Sequence, residues 1–392
     1  MANDVPTSFK LNTGASIPAV GLGTGSRSRA RLLLHIQNEH PEQRTLAGMS
    51  QKAENAEDAS GHNTPHTIPH PPTSLADVKR LACSQERIPI FGLRARVCRS
   101  GWNRVDGWSG FKLGGWDWDC NENEVGQGIK DSGVPRKDIF LTSKLWCTYH
   151  DRVEECLEKT LAALQTDYLD LYLVHWPVRT VENGTNEMFP VKEDGSRNID
   201  RQWDQADTWR AMEKVLASGK VKAIGVSNFS KLYLERLSKT WKTVPAVNQV
   251  ELHPYNPQHG LKAYCDEKGI VLEAYSPLGS NDSPLHEDPV VQAVAKKHDV
   301  SPATVLISYQ VNRGVVVLPK SVTPSRIDAN AKVIKLDADD MKQLDGLAAD
   351  GKQRRFVSPP WGTDFGYDDW FGPDNKDAPE GTVFESRGET FA

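Results

Sequence analysis

The sequence lacks the features that mark nucleic-acid-binding, secreted or membrane-spanning proteins. Its 47 Lys and Arg residues are outnumbered by 52 Asp and Glu residues, a formal net charge of -5 over 392 residues. No basic surplus therefore favours a nucleic acid or an anionic membrane as partner. The chain has no run of about 18 apolar residues, and its first ten residues contain no apolar core of a secretion signal. We predict a cytoplasmic protein that binds neither nucleic acid nor membrane.

Closely spaced cysteine pairs are also lacking, which argues against a zinc knuckle and a disulfide framework. The six cysteines contain no C-x-x-C pair. His62, His66 and His70 have the four-residue spacing of ligands on one helical face. However, Pro65 and Pro69 lie between them, and proline breaks the interior of a helix. The sequence predicts reduced thiols and no metal site.

From residue 121 onward, strand-like apolar runs alternate with amphipathic helical patterns. In DRVEECLEKTLAAL the apolar residues at 153, 157, 161 and 164 fall on one helical face, and QADTWRAMEKVLASGK ends at Gly219, a residue type common at helix C-termini. The runs mostly lack the alternation of a sheet with one wet face, so they favour parallel strands covered on both sides by helices. They are DIFLTSK, LDLYLVH, VKAIGVSN, AVNQVEL, IVLEAYS and VVVLPKS, with AVGLGT as a seventh after a predicted hairpin, FKLNTGASIP.

Seven strand-like runs leave one strand missing from a closed (β/α)8 barrel. The missing strand would fall within residues 25–120, a stretch with little periodicity and a proline-broken middle, HNTPHTIPHPPTS. We predict an α/β fold, a (β/α)8 TIM barrel in which one helix-strand unit after the first barrel strand is replaced by an irregular segment. The predicted divisions are 1–24 for the hairpin and first barrel strand, 25–120 for the irregular segment, 121–355 for the rest of the barrel, and 356–392 for a C-terminal loop and tail.

Polar side chains stand at or near the ends of the predicted strands, where barrel enzymes place their working groups. Each one alone has an ordinary explanation, because a Lys or Asn after a strand usually faces water. His175, within LYLVHWP, also fits a buried core histidine with satisfied hydrogen bonds. Six strands that end in polar groups at one rim favour a functional site. The residues are Lys144, His175, Ser227, Asn228, Gln249, Tyr275 and Lys320.

Eight ordered segments cover residues 8–24 and 121–355: PAVGLGT, NENEVGQGI, LTSKLW, LDLYLVHWP, AIGVSNF, PAVNQVELHP, EAYSPLG and LPKSVTPSRI. Together they resemble the aldo-keto reductases, specifically the NADP-dependent aldehyde reductase and glycerol dehydrogenase branch. This resemblance implies a (β/α)8 barrel, NADPH-dependent reduction of aldehydes or ketones to alcohols, and a catalytic tetrad of Asp, Tyr, Lys and His. Lys144 and His175 match the Lys and His of that set.

The other two members of the tetrad have no match. The family pattern D-x-x-x-x-Y-x-N-E-N-E-V-G places the aspartate at 114 and the tyrosine at 119, where this sequence has Gly114 and Asp119. An aspartate of ordinary pKa is ionised at neutral pH, so Asp119 has no proton to donate. The similarity stops at Thr24 and resumes at Asn121, and such clean edges suggest a replaced coding block. Two interpretations stay open: an impaired NADPH-dependent reductase, and a non-catalytic NADP(H)-binding pseudoenzyme or mis-spliced product.

The resemblance also implies a cofactor site. A Lys and an Arg six residues apart are ordinarily surface residues. Within LPKSVTPSRIDAN, however, they match the family's residues that bind the 2′-phosphate of NADPH. A dinucleotide-binding GLGTGS is the weaker interpretation, since Ser26 stands where a third glycine is required. The implied cofactor residues are Thr24, then Ser227, Asn228 and Gln249 for the carboxamide, Tyr275 for the nicotinamide face, Ser276, Leu278 and Ser280 for the pyrophosphate, and Lys320, Ser321, Thr323, Arg326 and Asn330 for the adenosine half.

Substrate identity is weakly encoded. Trp176 and Trp361 resemble aromatic walls of the family's substrate pocket, although aromatic residues in a C-terminal tail are also common in packing. We expect a small carbonyl substrate, such as a small aldehyde, a glyceraldehyde-like sugar or a short ketone, and a monomeric protein.

Overall fold

The structure is a computed structural model that describes residues 5–23, 33–36, 87–90, 93–96, 122–185, 188–279, 283–321, 323–359 and 361–367. For 33–36, 87–90 and 93–96 it gives the course of the backbone. Thr24, Gly114, Asp119 and Ser280 lie outside the described residues. None of the described helices is long and apolar enough to cross a membrane.

An N-terminal hairpin closes one end of the barrel, and its prediction from FKLNTGASIP is confirmed. Strands β1 (Ser8–Lys10) and β2 (Ser16–Pro18) pair antiparallel. The turn between them needs a left-handed residue, which Gly14 supplies at φ +83°. Leu11 and Ile17 are buried against the residues that begin the barrel strands. The hairpin therefore covers the amino ends of those strands.

Seven segments form a curled sheet of parallel strands. The six strands predicted after residue 121 are present and pair in sequence order. The N-terminal segment joins the last of them through the parallel bridges Val20–Val317 and Gly23–Lys320. The first and last barrel strands therefore meet, as the predicted closed barrel requires. The strands are β3 (Leu22–Gly23), β7 (Ile139–Leu145), β8 (Leu171–Val174), β9 (Ile224–Ser227), β10 (Val247–Glu251), β11 (Val271–Tyr275) and β12 (Val316–Leu318).

The gap between β3 and β7 is occupied by a strand from the segment that does not resemble the aldo-keto reductases. Strand β4 (Leu33–Ile36) pairs antiparallel with both neighbours. A barrel built of repeated β/α units would have a parallel strand at this position. The sequence prediction of an irregular segment therefore omitted this strand, and also a hairpin of β5 (Arg87–Ile90) and β6 (Leu93–Arg96).

Helices cover the outside of the sheet and follow the predicted patterns. In α2 (Val153–Leu164) the four apolar residues predicted for one face are buried. Helix α3 (Gln205–Ala217) begins where Asp204 accepts a hydrogen bond from the N–H of Ala206 and ends before Gly219, whose φ is +78°. The other helices are α1 (Glu122–Ser132), α4 (Lys231–Leu237), α5 (His259–Lys268), α6 (Pro289–Lys297), α7 (Pro302–Asn312), α8 (Pro324–Asn330) and α9 (Ala338–Gly346).

Candidate active site

Lys144 and His175 lie on neighbouring strands at the carboxyl end of the barrel. Lys144 is the penultimate residue of β7 and is 2% exposed, and His175 directly follows β8. The N–H of His175 donates to the carbonyl of Leu145 at 3.1 Å, which sets the two strand ends level. The structure therefore brings the two predicted catalytic side chains to one rim, opposite the end that the hairpin covers.

A buried hydrogen-bonded network links the ends of β9, β10 and β11. The hydroxyl of Ser227 donates to the carbonyl of Gln249 at 2.7 Å, and the hydroxyl of Tyr275 donates to Oδ1 of Asn228 at 2.8 Å. Asn228 Nδ2 donates to the carbonyl of His175 at 2.9 Å. Asn228 has a φ of +64°, a backbone strain that persists where surrounding contacts fix it. Four predicted cofactor residues thus form one rigid unit joined to His175.

The other predicted cofactor residues that the structure describes, from Ser276 to Asn330, lie along the same end. Ser276 has a φ of +49° and accepts a hydrogen bond from the N–H of Gly279 in a tight turn that also holds Leu278. Lys320 is exposed beside Gly23, next to the end of the first barrel strand. Ser321 Oγ accepts from the N–H of Thr323, Arg326 is exposed, and Asn330 is 8% exposed.

The ring of His175 and four aromatic rings contact one another in a closed circuit. The centroid of the His175 ring is 4.9 Å from that of Trp146 and 6.3 Å from that of Trp176. Trp146 contacts Phe189 at 5.1 Å, and Trp361 contacts both Phe189 at 6.3 Å and Trp176 at 5.6 Å. The circuit unites the β8–α3 loop with the C-terminal segment. It gives the site an apolar wall containing both tryptophans predicted for substrate contact.

The model of the Aldo/keto reductase family matches residues 119–349. The chain belongs to this family of oxidoreductases. It is 51% identical over 257 residues to a D-galacturonate reductase of Hypocrea jecorina, covering 64% of this chain and 83% of that protein. It is 48% identical over 248 residues to a glycerol 2-dehydrogenase (NADP(+)) of Saccharomyces cerevisiae, covering 62% of this chain and 80% of that protein. The solved aldose reductase from Schistosoma japonicum aligns with a TM-score of 0.58 at 34% identity, covering 65% of this chain and 83% of that one.

One buried atom of this aldo/keto reductase fits a nicotinamide carboxamide. Gln249 Nε2 donates to Oε2 of Glu273 at 2.6 Å, which fixes the orientation of the amide. Gln249 Oε1 is buried and accepts no hydrogen bond from the described residues. A carboxamide carries an N–H donor that would satisfy such an acceptor, because buried polar atoms are rarely left without a partner.

Sequence reasoning missed two buried carboxyl groups of this aldo/keto reductase, Glu273 at the candidate site and Glu122 between β7 and the covering helices. Glu273 is fully buried beside Gln249. The sequence could have indicated Glu273, because Glu273 and Tyr275 are two residues apart on one strand and therefore share a face. Glu122, at the start of α1, accepts a hydrogen bond from the hydroxyl of Ser143 at 2.6 Å. Burial raises the pKa of Glu122, while hydrogen bonds from Ser143 and Thr160 and the charge of Lys144 oppose this rise.

The candidate metal ligands His62, His66 and His70 lie outside the described residues. No group of three His, Cys, Asp or Glu side chains in the described part of the chain could hold an ion. Cys147, Cys156 and Cys265 are free thiols buried in the protein. Burial raises the pKa of each, so these thiols stay protonated and unreactive at neutral pH.

Proposed function

We propose that the chain is an NADPH-dependent oxidoreductase that reduces aldehydes or ketones to alcohols. The supporting observation is the network of Ser227, Asn228, Gln249 and Tyr275, which leaves a buried acceptor at the rim where Lys144 and His175 lie. Bound NADPH would supply a hydride to the carbonyl carbon. The residues of the network would hold the nicotinamide, and the buried rim would exclude water from it.

Preference for NADPH over NADH is part of this proposal. Lys320 and Arg326 are exposed cations beside the hydroxyls of Ser321 and Thr323, a set able to bind the 2′-phosphate. Asn330 would contact the adenine, and Ser276 and Leu278 would lie along the pyrophosphate. The remaining two cofactor residues that we propose from the sequence are Thr24 and Ser280. The S. cerevisiae relative, named for NADP(+), supports this choice.

We assign Lys144 and His175 catalytic roles and propose a small carbonyl substrate bounded by Trp176 and Trp361. His175 would orient the carbonyl oxygen, since its backbone is fixed by Asn228 and its ring by Trp146. The names of the relatives, a D-galacturonate reductase and an aldehyde reductase of S. cerevisiae, support sugar-like or simple aldehydes. We expect a monomer in the cytoplasm.

A second candidate is a protein that binds NADP(H) without turnover. Two observations favour it: Gly114 and Asp119 replace the family's aspartate and tyrosine, and β4 runs antiparallel where the barrel would have a parallel strand. Loss of a general acid lowers rates by about 10² to 10⁴. If the coding block had been replaced in the transcript, the general acid would be lost in the same way.

Two measurements on the purified full chain test the proposal. Quenching of protein fluorescence during NADPH titration reports cofactor binding, and the fall in NADPH absorbance after addition of glyceraldehyde reports turnover. We expect binding together with a kcat at least about 10²-fold below the common range of about 1 to 10³ s⁻¹. Binding with no turnover supports the second candidate, and absence of binding refutes both. A full-rate enzyme would show that Asp119 does not deprive the site of its proton donor.

Sequencing the transcript across the codons for Thr24 and Asn121 tests the origin of residues 25–120. A shorter transcript lacking this block, or carrying a family-like one, would support a splicing or gene-model error. A single continuous transcript that retains all 96 codons would contradict it.

A further inference from the structure

A cleft of about 710 Å³ lies on the outside of the barrel, a size common for sites that hold small organic molecules. It is lined by the long loop between β8 and α3, by the start of α3, by α4 and the residues just after it, and by Thr363 of the C-terminal segment. No described strand residue lines it, and neither does any described residue assigned above to catalysis, the cofactor or the substrate. The cleft is therefore a concavity distinct from the candidate active site.

Part of the lining is apolar and held in place. Leu237 is buried, and Ile199 and Trp203 are half-buried. The indole of Trp203 is fixed, because its Nε1 donates to Oγ1 of Thr208 at 2.8 Å and the guanidinium carbon of Arg179 lies 4.7 Å from its ring centroid. A half-buried indole offers a flat surface on which an aromatic group can pack.

The charged side chains of the lining are mostly cations, four against two acids. Both acids are engaged within the fold. Asp200 pairs with Arg179 at 2.6 Å, and Oδ1 of Asp204 accepts a hydrogen bond from the N–H of Ala206 at 2.8 Å where α3 begins. The other three cations give the cleft a surplus of positive charge. They are Arg201, Arg236 and Lys239.

Two of these cations lie close to one tyrosine beside the C-terminal segment. Tyr233 is buried, and its hydroxyl donates to the carbonyl of Asp364 at 3.4 Å. Burial raises the pKa of Tyr233, and the charges of Arg236 and Arg201 act against this rise, whereas the charge of Asp364 adds to it. The guanidinium carbon of Arg236 lies 5.7 Å from the ring centroid of Tyr233, and Nη2 of Arg201 donates to the carbonyl of Gly362 at 3.0 Å. The loop and α4 thus each bring an arginine to the same end of the cleft, where Asp364 offsets part of their charge.

Cations at a protein surface ordinarily face water and need no ligand. This group differs, because its members come from two elements of the fold and line a concave surface that is partly apolar. Low-dielectric walls strengthen the field of such charges and concentrate anions in the cleft. An arginine also donates two parallel hydrogen bonds to a carboxylate. The chemistry of the cleft therefore matches a molecule with an apolar body and a carboxylate.

We propose that the cleft is a binding site for a small aromatic acid, whose ring packs on Trp203 and whose carboxylate is bound by Arg201, Arg236 and Lys239. The site lies apart from the candidate active site, so this inference does not depend on the proposed function. If the cations served only to keep the surface hydrated, a charged and a neutral ligand of equal shape would bind alike.

Two ligands of equal shape, 2-naphthoate and its neutral isostere 2-naphthamide, test the inference. Isothermal titration of the full-length protein without nucleotide measures both affinities. We expect the naphthoate to bind about tenfold more tightly at low ionic strength, and the preference to shrink at about 1 M salt, because salt screens partly exposed charges. The double variant Arg236→Met/Lys239→Met should lose most of the preference, and Trp203→Leu should weaken the binding of both ligands.

Lys231→Met is the matched control, since Lys231 is an exposed lysine of α4 that lies outside the cleft, with its Nζ 3.8 Å from Oε1 of Glu235. It should keep the full preference for the acid, and so should His175→Gln at the candidate active site. Equal binding of the two ligands by the wild type, a full preference in the double variant, or a preference lost in His175→Gln overturns the inference. Should the double variant not fold, as judged by circular dichroism, Lys239→Met decides: a reduced preference supports the site, and a full preference overturns it.

Discussion

The hydroxyl of Tyr275 donates a hydrogen bond to Oδ1 of Asn228 across the ends of β11 and β9, at 2.8 Å. Both residues are buried, and Asn228 is strained at φ +64°. The bond fixes which side of the Asn228 amide faces Tyr275 and leaves Nδ2 to hold the carbonyl of His175 at 2.9 Å. A single pair of side chains thus connects the proposed nicotinamide site to the proposed catalytic histidine.

Tyr275→Phe tests this connection. We expect NADPH binding to weaken about fivefold, because one hydrogen bond contributes about 1 kcal/mol and the Asn228 amide would lose its fixed orientation. Fluorescence titration with NADPH measures the change. Tyr264→Phe, on α5 outside the barrel, is the control and should bind as the wild type does. Equal affinities of Tyr275→Phe and the control would contradict the role given to this bond.

Glu251 anchors the C-terminal segment to the end of β10. Its Oε1 and Oε2 accept hydrogen bonds from the N–H groups of Phe356 and Val357 at 2.6 and 2.9 Å, and Nε2 of His253 lies 2.9 Å from Oε1. Burial alone would raise the pKa of Glu251, but the bonds and charges of His253 and Arg355 and the Phe356 N–H outweigh it and lower the pKa.

This lowered pKa predicts how the anchor responds to acid. The folded-state pKa lies below the ordinary value of 4.5, so the stabilisation is present above 4.5 and is lost as pH falls through the lowered pKa. We expect Glu251→Gln to speed amide exchange at Phe356 and Val357 at neutral pH, with the difference from wild type vanishing in acid. Hydrogen exchange followed by mass spectrometry measures this, with Glu235→Gln, at an exposed position of α4, as control. A difference that persists unchanged in acid would exclude the carboxylate as its source.

Glu122 should respond to pH in the opposite sense. Because burial raises its pKa above the ordinary 4.5, its contribution to the free energy of unfolding is full below 4.5 and is lost as pH rises through the raised pKa. We expect Glu122→Gln to gain stability relative to the wild type as pH rises from acid to neutral. Urea denaturation at several pH values measures the gain. Glu124→Gln, exposed on the same turn, should show none, and a matching gain there would refute the assignment.

The approach of α1 to α2 depends on Gly126. A Cβ at this position would lie 2.5 Å from the backbone oxygen of Leu164, which cannot move without displacing the end of α2. We expect Gly126→Ala to lower the free energy of unfolding by about 1 to 3 kcal/mol. Gly260→Ala on α5 is the control, since nothing lies within 4 Å of its added Cβ. That control should raise stability by about 0.5 to 1 kcal/mol, and similar losses in both variants would argue against the close contact.

Much of the barrel could be predicted from sequence because each strand after residue 121 is a short apolar run whose two faces are both buried. β7 shows this best, since all seven of its residues are buried. Strand β4 could not be predicted, because LLHI has no feature that distinguishes it from its surroundings or gives its antiparallel direction. Direction depends on which neighbours a strand meets, and single-sequence periodicity carries no record of that.

The candidate site, too, could be predicted from sequence only in part. Residues at strand ends, such as Lys144 and Gln249, follow from the barrel rule once the strands are known. Trp176 and Trp361 were expected from the family resemblance, but the circuit that joins them through Phe189 and Trp146 was not, because Phe189 lies in a loop. Loop residues have no periodicity, so their packing emerges only in the tertiary structure.

The hairpin of β1 and β2 has a kinetic consequence for ligands. With Leu11 and Ile17 seated among the residues that begin the strands, that end of the barrel offers no passage. The proposed cofactor and substrate would therefore both enter and leave through the opposite end of the barrel. Whichever of the two lies deeper would then bind first and leave last.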